Sequence, residues 1–398
     1  MTTDRKSSLK QVLGILSLLL IVTGARAQNI VDSLDGRINA INTAVPFLRI
    51  TPDARSGAMG DVGVALSPDA NSMHHNISKL AFAESDFGVS ATYTPWLRSL
   101  QIDDIYLAYL SGFKKIDEVS SIGMSIRYFS LGSITFTNDR GDHTGNYTPN
   151  EFEFMAGYAR KLSENFSVGV GLKYIYSNLA AGQMVNGVNI RPGMTAAGDV
   201  SAYYENDKLK WGEKNVKLAL GTSISNVGAK ITYTNSVDKD FIPMNLGMGS
   251  GLTIALDDYN EITFAFDMNK LLVPTPDTVD LDADGIFDYK AQSPAEGFLS
   301  SFADAPGGAG EELKELMFST GIEYWYDQQF AVRAGYFNEH SMKGNRKYFT
   351  VGLGIKYNVF GLNFSYLVPT SNQRNPLDNT LRFSLLFDFA AIGTPQEG

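Results

Sequence analysis

The sequence predicts an all-β fold, an antiparallel β-barrel of about 14 strands of the outer-membrane type. The first observation is the alternation over residues 348–368, where Phe, Val, Leu, Ile and Tyr alternate with Gly, Ser, Thr, Asn and Lys. A period of two places each set on one face of a strand. Each arm of about ten residues matches the length that a tilted strand needs to cross the hydrocarbon layer. An apolar outer face and a polar inner face are typical of a barrel wall in lipid.

The second observation is that such strands recur from residue 87 to residue 389. Their even number is typical of single-chain bacterial barrels, and closure leaves no strand edge exposed. The predicted strands are Phe87–Tyr93, Ile105–Phe113, Ser121–Leu131, Glu151–Arg160, Phe166–Ser177, Met194–Tyr204, Val216–Ser225, Met244–Leu256, Glu261–Asn269, Leu316–Tyr326, Phe330–Phe337, Tyr348–Tyr357, Leu362–Val368 and Leu381–Phe389.

The third observation concerns the connections between these strands. Short connections follow the second, fourth, tenth and twelfth strands, whereas long ones rich in Gly, Asn, Asp and Pro follow the third, fifth, seventh, ninth and thirteenth. Outer-membrane barrels have short periplasmic turns and long external loops. We therefore place the long loops outside and both chain termini in the periplasm.

The N-terminus predicts export. A basic start at residues 5–10, an apolar run over residues 12–22 and Ala25-Arg26-Ala27 indicate a signal peptide over residues 1–27. The chain has no cysteine, which excludes disulfides and a lipoprotein anchor. The formal charge is −10, and it becomes −13 without the signal segment, which carries +3. This acidity argues against nucleic-acid binding.

Residues 28–85 do not alternate cleanly, and they contain the small-residue run Gly57-Ala58-Met59-Gly60. We interpret residues 28–85 as an N-terminal hatch, residues 86–389 as the barrel and residues 390–398 as a periplasmic tail. The alternative for the first of these is a flexible periplasmic tail. With the hatch in place, we expect a lumen that is blocked at rest. Inward-facing polar side chains would fill the remainder: Lys356, Asn363, Ser365 and Arg382.

The longest loop contains carboxylates at alternate positions followed by a glycine. Asp280, Asp282, Asp284 and Asp288 resemble the first nine places of a calcium loop, and Gly285 permits the sharp turn. The twelfth place, which should supply a bidentate acid, is Ala291. The sequence therefore leaves two alternatives open, a Ca²⁺ site or a solvated acidic loop, and it indicates no other cofactor.

No arrangement of residues indicates an enzyme. The chain has four histidines and lacks a G-x-S-x-G elbow, a phosphate-binding loop and a dinucleotide fingerprint. A membrane esterase that deacylates lipid A would have to depend on His143 or His340. Further along the longest loop, Pro306-Gly307-Gly308 and the acidic residues after it predict a short helix start, which either docks a partner or only packs the loop.

Several motifs together resemble the PorV family of FadL-like barrels. These motifs are Thr51-Pro52-Asp53-Ala54-Arg55-Ser56-Gly57-Ala58-Met59-Gly60-Asp61, Asn76-Ile77-Ser78-Lys79-Leu80, Thr94-Pro95-Trp96-Leu97 and Ala305-Pro306-Gly307-Gly308. One difference lies at His75-Asn76-Ile77-Ser78, where the family tends to read Trp-Asn-Pro-Ala. The missing proline removes a local backbone constraint.

The resemblance implies an outer-membrane component of the type IX secretion system. Such a protein binds cargo with C-terminal signal domains leaving a SprA/Sov-type translocon barrel and shuttles it to a PorU-type attachment complex. The alternative is a FadL-type transporter of hydrophobic small molecules. The matched motifs nominate hatch residues Asp53, Arg55, Gly57, Gly60 and Asn76, and partner-binding residues Trp96, Leu97, Pro306, Gly307 and Gly308.

Overall fold

The computed structural model describes residues 39–98, 102–137, 140–180, 182, 184–185, 188–235, 239–281, 283, 285–370 and 380–389. The predicted signal peptide, residues 28–38 of the predicted hatch and the predicted tail over residues 390–398 lie outside the described residues.

Fourteen antiparallel strands close into one barrel in which each strand pairs with its neighbours along the chain. The last strand closes on the first, with Phe389 opposite Phe87 and Phe383 opposite Tyr93. The predicted strands and the closed barrel are confirmed. The strands are β1 (Phe87–Pro95), β2 (Ile105–Lys115), β3 (Ser120–Leu131), β4 (Asn150–Lys161), β5 (Phe166–Asn178), β6 (Gly193–Trp211), β7 (Lys214–Gly228), β8 (Asn245–Ala255), β9 (Asn260–Leu271), β10 (Met317–Tyr326), β11 (Phe330–Asn338), β12 (Lys347–Tyr357), β13 (Phe360–Pro369) and β14 (Leu381–Phe389).

Strand β12 shows why the alternating sequence forms a wall of this kind. Phe349, Val351 and Leu353 point outward and are each about half exposed, at 55%, 47% and 56%. Thr350 and Gly352, which lie between them, point into the lumen and are buried. The outward set gives the barrel an apolar belt for lipid, while the inward set leaves room for polar contacts and close backbone approach.

The connections alternate in length as the sequence predicts. Six connections of two to four residues lie on one side, and seven connections of eight to 45 residues lie on the other, which we call the outer side. The long connections include two small hairpins and a few short helices. These elements are the hairpins Ile134–Thr137 with His143–Tyr147 and Met184–Val185 with Val188–Asn189, the helices Asp288–Ala291, Pro294–Ser300 and Ala309–Glu312, and the 3-10 turn Leu313–Glu315. Among the described residues, every helix is too short or too polar to cross a membrane.

Residues 39–86, which we call the N-terminal segment, run through the lumen from the outer side to the short-turn side. The backbone N–H of Asn39 donates to Met342 in an outer connection (2.9 Å), and the N–H of Asp86 donates to Phe389 at the opposite end (3.1 Å). Asn39, the first described residue, therefore lies on the outer side, whereas the predicted periplasmic position of the N-terminus concerns residues that lie outside the described ones. The segment forms four short helical turns: Pro46–Arg49, Ala54–Gly57, Ser72–His75 and Ile77–Phe82.

Candidate functional site

Two regions are candidates for function: the filled lumen and the outer loop over residues 272–316. In the lumen, Asp53 caps the turn Ala54–Gly57, with Oδ2 accepting from the N–H of Ser56 (2.7 Å). Its Oδ1 lies 2.8 Å from Nε2 of His75, which links two turns of the N-terminal segment. Short acidic side chains are favoured at such caps because they satisfy free backbone donors.

Asn76 performs a similar role at the turn Ile77–Phe82 and also contacts the wall. Its Oδ1 accepts from the N–H of Ser78 (3.1 Å). Its Nδ2 donates to the carbonyls of Val64 (3.0 Å) and Ala202 (3.1 Å), the latter in β6. The polar side chain therefore holds two stretches of the segment against one strand without the proline that the family pattern has at position 77.

A buried ion cluster ties the segment to the opposite wall. Arg55 donates to both carboxylate oxygens of Glu323, from Nε at 3.0 Å and from Nη2 at 2.7 Å. Nε of Arg333 donates to the same carboxylate at 2.5 Å. Glu323 is 1% exposed and Arg333 is 2% exposed. Loss of one member of a buried ion pair leaves an uncompensated charge, which typically costs about 3–5 kcal/mol.

Glycines set the closest approach between the segment and the wall. Gly60 has φ +72°, and a Cβ there would lie 2.6 Å from the backbone of Tyr336. A Cβ at Gly335, on the same strand β11, would lie 2.0 Å from the carbonyl carbon of Met59. At Gly57 a Cβ would lie 2.8 Å from Nη1 of Arg382. The small-residue run in the sequence thus reflects backbone packed directly on backbone.

Polar contacts from several strands fix the same stretch. The N–H of Ala54 donates to Ser384 Oγ (2.8 Å) in β14, and that of Gly60 donates to Thr350 Oγ1 (2.8 Å) in β12. In β9, Oδ2 of Asp267 accepts from the N–H groups of Gly63 (2.7 Å) and Val64 (2.9 Å). The segment is therefore bonded to the wall on several sides.

Two cavities lined by described residues flank the N-terminal segment, and they share no lining residue. The one nearer the outer side, of about 190 Å³, is lined by Arg49, Arg382 and other polar side chains. The one at the short-turn end, of about 1000 Å³, is lined by Lys356, Asn363 and the cluster around Glu323. The inward residues predicted from the sequence thus face different cavities, separated by the N-terminal segment.

At the outer mouth, the start of the segment packs into an apolar cluster. Phe47 and Leu48 are buried there beside Trp96 and Phe129. Nη1 of Arg127 donates to the carbonyls of Phe47 (3.1 Å) and Leu48 (2.9 Å) and holds the chain in the mouth.

This cluster bears on two of the predicted partner-binding residues. Trp96 is only 9% exposed, and its ring lies 5.1 Å from that of Phe129. Leu97 is half-buried and adopts a positive φ of 54°. The structure thus places Trp96 in the packing of the mouth, and its role as a partner contact stays a prediction.

The base of the outer loop is held by a buried ion network. Nζ of Lys343 donates to Glu311 (2.5 Å) and Glu315 (2.9 Å), and Nζ of Lys270 donates to Glu315 (2.5 Å). Nδ2 of Asn39 also donates to Glu311 (3.1 Å). The network therefore joins the loop to strand β9, to a second outer connection and to the start of the N-terminal segment.

A second ion group lies beside it at the outer ends of β11 and β12. Arg346 donates from Nε (2.8 Å) and Nη2 (2.9 Å) to the two carboxylate oxygens of Glu339, and Arg49 lies 3.8 Å from Glu339. Burial alone would raise the pKa of Glu339, but the hydrogen bonds and charge of Arg346 outweigh it, so this pKa lies below its ordinary value. Glu339 therefore stays ionised at neutral pH.

The Pro-Gly-Gly turn forms the start of the short helix Ala309–Glu312, as the sequence predicts. Pro306 and Gly307 are exposed, and Gly308 has φ 67°. The N–H of Gly307 donates to Oε2 of Glu311 (2.8 Å). Pro306 and Gly307 therefore stay available as partner contacts, whereas Gly308 supplies the turn.

The structure describes only part of the predicted calcium loop. Asp280 Oδ2 accepts from the N–H of Gly285 (3.2 Å), and Asp288 Oδ1 accepts from the N–H of Leu281 (3.2 Å). Asp282 and Asp284 lie outside the described residues. Within the described part of the chain, no three acidic, histidine or cysteine side chains gather as a metal site. Calcium binding stays a prediction.

The two histidines considered for catalysis are bonded within their own loops. Nε2 of His143 lies 2.9 Å from Oδ1 of Asn146, and Nδ1 of His340 accepts from the N–H of Met342 (3.2 Å). The sequence reasoning missed the residues that organise both regions, namely Arg127, Glu323, Arg333, Lys270 and Lys343. For the four that lie in strands, the sequence signal was a charged residue at an inward position of the alternation, as with Glu323 between Ile322 and Tyr324, whereas Lys343 lies in an outer connection and had no such signal.

Comparison with known proteins assigns the family. The sequence model of the type IX secretion system protein PorV matches residues 33–278. The chain belongs to the PorV family. It is therefore an outer-membrane β-barrel of a secretion system and not a member of an enzyme family. No curated protein sequence matches it.

Several solved barrels are distantly similar to this PorV-family chain. The monoaromatic hydrocarbon channel CymD is 12% identical with a TM-score of 0.48, over 86% of this chain and 98% of CymD. The toluene transporter TbuX of Ralstonia pickettii is 10% identical with a TM-score of 0.45, over 85% and 98% of the two chains. The toluene transporter TodX of P. putida is 10% identical with a TM-score of 0.46, over 85% and 99%. Similarity to solved structures at this level gives no information on what this chain binds or transports.

Proposed function

We propose that this PorV-family protein is a cargo shuttle of the type IX secretion system. It binds the C-terminal signal domains of cargo proteins leaving a SprA/Sov-type translocon barrel, and it carries them to a PorU-type attachment complex on the cell surface. The proposal joins the family assignment to one observation of this chain: the N-terminal segment fills the lumen while a 45-residue connection stands on the outer side.

The filled lumen favours a receptor over a pore. The segment is bonded to strands on several sides of the barrel, and a buried ion cluster holds it at its centre. Release of the segment would strand these charges and backbone groups without partners. In this proposal the N-terminal segment acts as a closed hatch, and binding takes place on the outer loops.

The outer loop over residues 272–316 suits a binding role because its base is fixed and its tip, residues 276–303, carries exposed apolar side chains. Lys270 and Lys343 hold the helical end of the loop, whereas Leu281 and Leu299 are strongly exposed. A fixed base lowers the ordering cost of association, since fewer backbone torsions have to be fixed on binding.

The structure allows a clean deletion of the tip. The N–H of Thr275 lies 3.3 Å from Oδ2 of Asp304, so the ends of residues 276–303 are adjacent. A short Gly-Ser link from Thr275 to Asp304 removes the tip and keeps the ion network below it.

Co-purification from detergent-solubilised outer membrane tests the proposal. Full-length protein should recover a giant translocon barrel and secreted proteins that share one terminal domain, and the variant without residues 276–303 should insert normally and lose those proteins. A matched control removes the tip of the hairpin around residues 140–142, which belongs to another outer connection. Recovery of neither kind of partner by the full-length protein would contradict the proposal.

The second candidate is a FadL-type transporter of hydrophobic small molecules. The cavity of about 1000 Å³ at the short-turn end is the feature that favours it. Its lining carries charged side chains such as Arg55, Glu323 and Lys356, which does not suit an apolar ligand. Uptake of toluene into vesicles that contain the purified protein, above that of protein-free vesicles, would support the transporter instead.

A further inference from the structure

The helix Pro294–Ser300 in the outer loop has two apolar faces. On the inner face, Gly297 is buried so tightly that a Cβ would lie 2.8 Å from the ring of Phe241, and Phe298 packs on the apolar cluster of the mouth. On the outer face, Leu299 is 71% exposed, and Phe302 in the following turn is 49% exposed. Helices with apolar residues on both faces are normally buried on both. Leu299 and the exposed half of Phe302 are therefore left uncovered by the described part of this chain.

This face is held rigidly. Ser293 and Glu296 form a capping box at the helix start, and Ser301 at its end is buried, with its N–H bonded to the carbonyl of Gly297 (3.1 Å). Phe302 follows the helix in its terminal turn, where its ring lies edge-on to that of Phe298 (6.2 Å) and stays 49% exposed beside the more exposed Leu299. Two large apolar side chains on a fixed support are typical of interface anchors.

Charge indicates what kind of surface covers this face. Residues 272–316 contain ten acidic and two basic side chains, an excess of eight negative charges. Lys270 and Lys343, which lie outside the loop, pair with Glu311, Glu312 and Glu315, and this leaves an excess of six. Apart from Lys343, which is already counted with the loop, the six other outer connections together contain eight acidic and seven basic side chains. The excess negative charge of the outer connections therefore belongs to the loop that carries this helix.

We infer that the outer face of helix Pro294–Ser300, centred on Leu299 and Phe302, docks the cargo protein, and that the cargo presents an apolar patch surrounded by basic side chains. This inference rests on the proposed shuttle function and adds the chemistry of the partner. Apolar anchors supply affinity, and complementary charge supplies orientation and rate of encounter. A second copy of this chain fits the surface poorly because it would bring the same negative charge to the interface.

The test measures binding of a full-length secreted protein, recovered by the co-purification above, to the complete barrel in nanodiscs. Affinity should fall about tenfold or more between 50 and 500 mM NaCl because salt screens complementary charges. The variant Leu299→Ser/Phe302→Ser should bind at least tenfold more weakly at every salt concentration. The variant Asp277→Asn/Asp280→Asn/Asp288→Asn should bind several-fold more weakly and show a flatter salt dependence.

Matched controls lie on the short-turn side, where Leu162 and Glu118 are also exposed. Leu162→Ser and Glu118→Gln should leave both affinity and salt dependence unchanged. Light scattering of the protein in detergent, without nanodiscs, reports whether copies of it associate with one another. If Leu299→Ser/Phe302→Ser changes only this state and not cargo affinity, the face is a contact between copies and the inference is overturned.

The outcomes separate this inference from the function on which it rests. If the unaltered protein binds cargo tightly, but salt and the loop variants have no effect, the docking surface lies elsewhere and the shuttle proposal stands. If the unaltered protein binds no secreted protein, the shuttle proposal itself fails, and the docking inference fails with it.

Discussion

The lumen and the outer loop differ in how far their charged side chains are buried and paired. In the lumen, Glu323 and Arg333 are buried, Arg55 is partly buried, and the two arginines pair with the one carboxylate. In the outer loop, Lys343 and its glutamates fix only the base, while acidic and apolar side chains beyond it face solvent. The comparison shows that the barrel with its filled lumen is a rigid support, and that the exposed side chains available for binding lie on the outer side.

The most disruptive change should be Gly335→Val. A Cβ there would lie 2.0 Å from the backbone of Met59, so the segment cannot keep its place against β11. We expect the lumen to open, and ion conductance in planar bilayers to rise from background by at least tenfold. The matched change Gly145→Val, where a Cβ would have nothing within 4 Å, should remain at background. Equal, low conductance in both variants would contradict the packed lumen.

Glu323→Leu should have the next largest effect. It leaves the guanidinium groups of Arg55 and Arg333 buried without their carboxylate, at a cost of about 3–5 kcal/mol. We expect residues 53–57 to exchange their amide hydrogens at least 100-fold faster, as measured by mass spectrometry in detergent. Glu118→Leu, at an exposed turn, is the control. Unchanged protection in Glu323→Leu would show that the ion cluster does not hold the segment.

The barrel could be predicted from the sequence because its physical cause is local. Alternation and the lengths of connections fix the strands of a closed barrel, and both can be read along the chain, as at Phe349-Thr350-Val351. The packing of the N-terminal segment could not be predicted in detail. Its contacts, such as Arg55 with Glu323, join residues 268 positions apart, and no local pattern encodes such a pairing.

The path of the N-terminal segment through the lumen could not be predicted for a similar reason. The start of the segment is held at the outer side by Met342 and Glu311, which lie far along the chain. Trp96 illustrates the same limit, because a motif nominates it as a partner contact while its neighbour Phe129 buries it. Sequence patterns give the face of a strand, but they do not reveal which distant side chain covers it.

Lys343→Met should have a moderate effect confined to the outer side. It removes the cation shared by Glu311 and Glu315, so the base of the loop should loosen. We expect faster protease cleavage within residues 276–316 on intact cells and several-fold weaker cargo binding, with conductance still at background. Lys239→Met, at an exposed outer residue, should change none of these. A rise in conductance would show that the lumen and loop are coupled.

The smallest expected effect concerns calcium at the tip. If the acidic run binds Ca²⁺, millimolar CaCl₂ should slow protease cleavage within residues 277–288 by about two- to fivefold, because a bound ion orders the loop. Asp280→Asn/Asp288→Asn should abolish this protection and leave the barrel unchanged. Identical cleavage of the unaltered protein with CaCl₂ and with a chelator would exclude the site.

The most direct test of the central claim locks the N-terminal segment in place. The N–H of Ala54 lies 2.8 Å from Ser384 Oγ, and the chain has no cysteine of its own, so Ala54→Cys/Ser384→Cys can form only this one disulfide. Cargo affinity is then measured with the pair oxidised and reduced, with bond formation checked by mass spectrometry. If binding takes place on the outer loops of a closed barrel, the two affinities should agree within about twofold. Loss of binding on oxidation, with recovery on reduction, would contradict the claim because the lumen would have to open for cargo to bind.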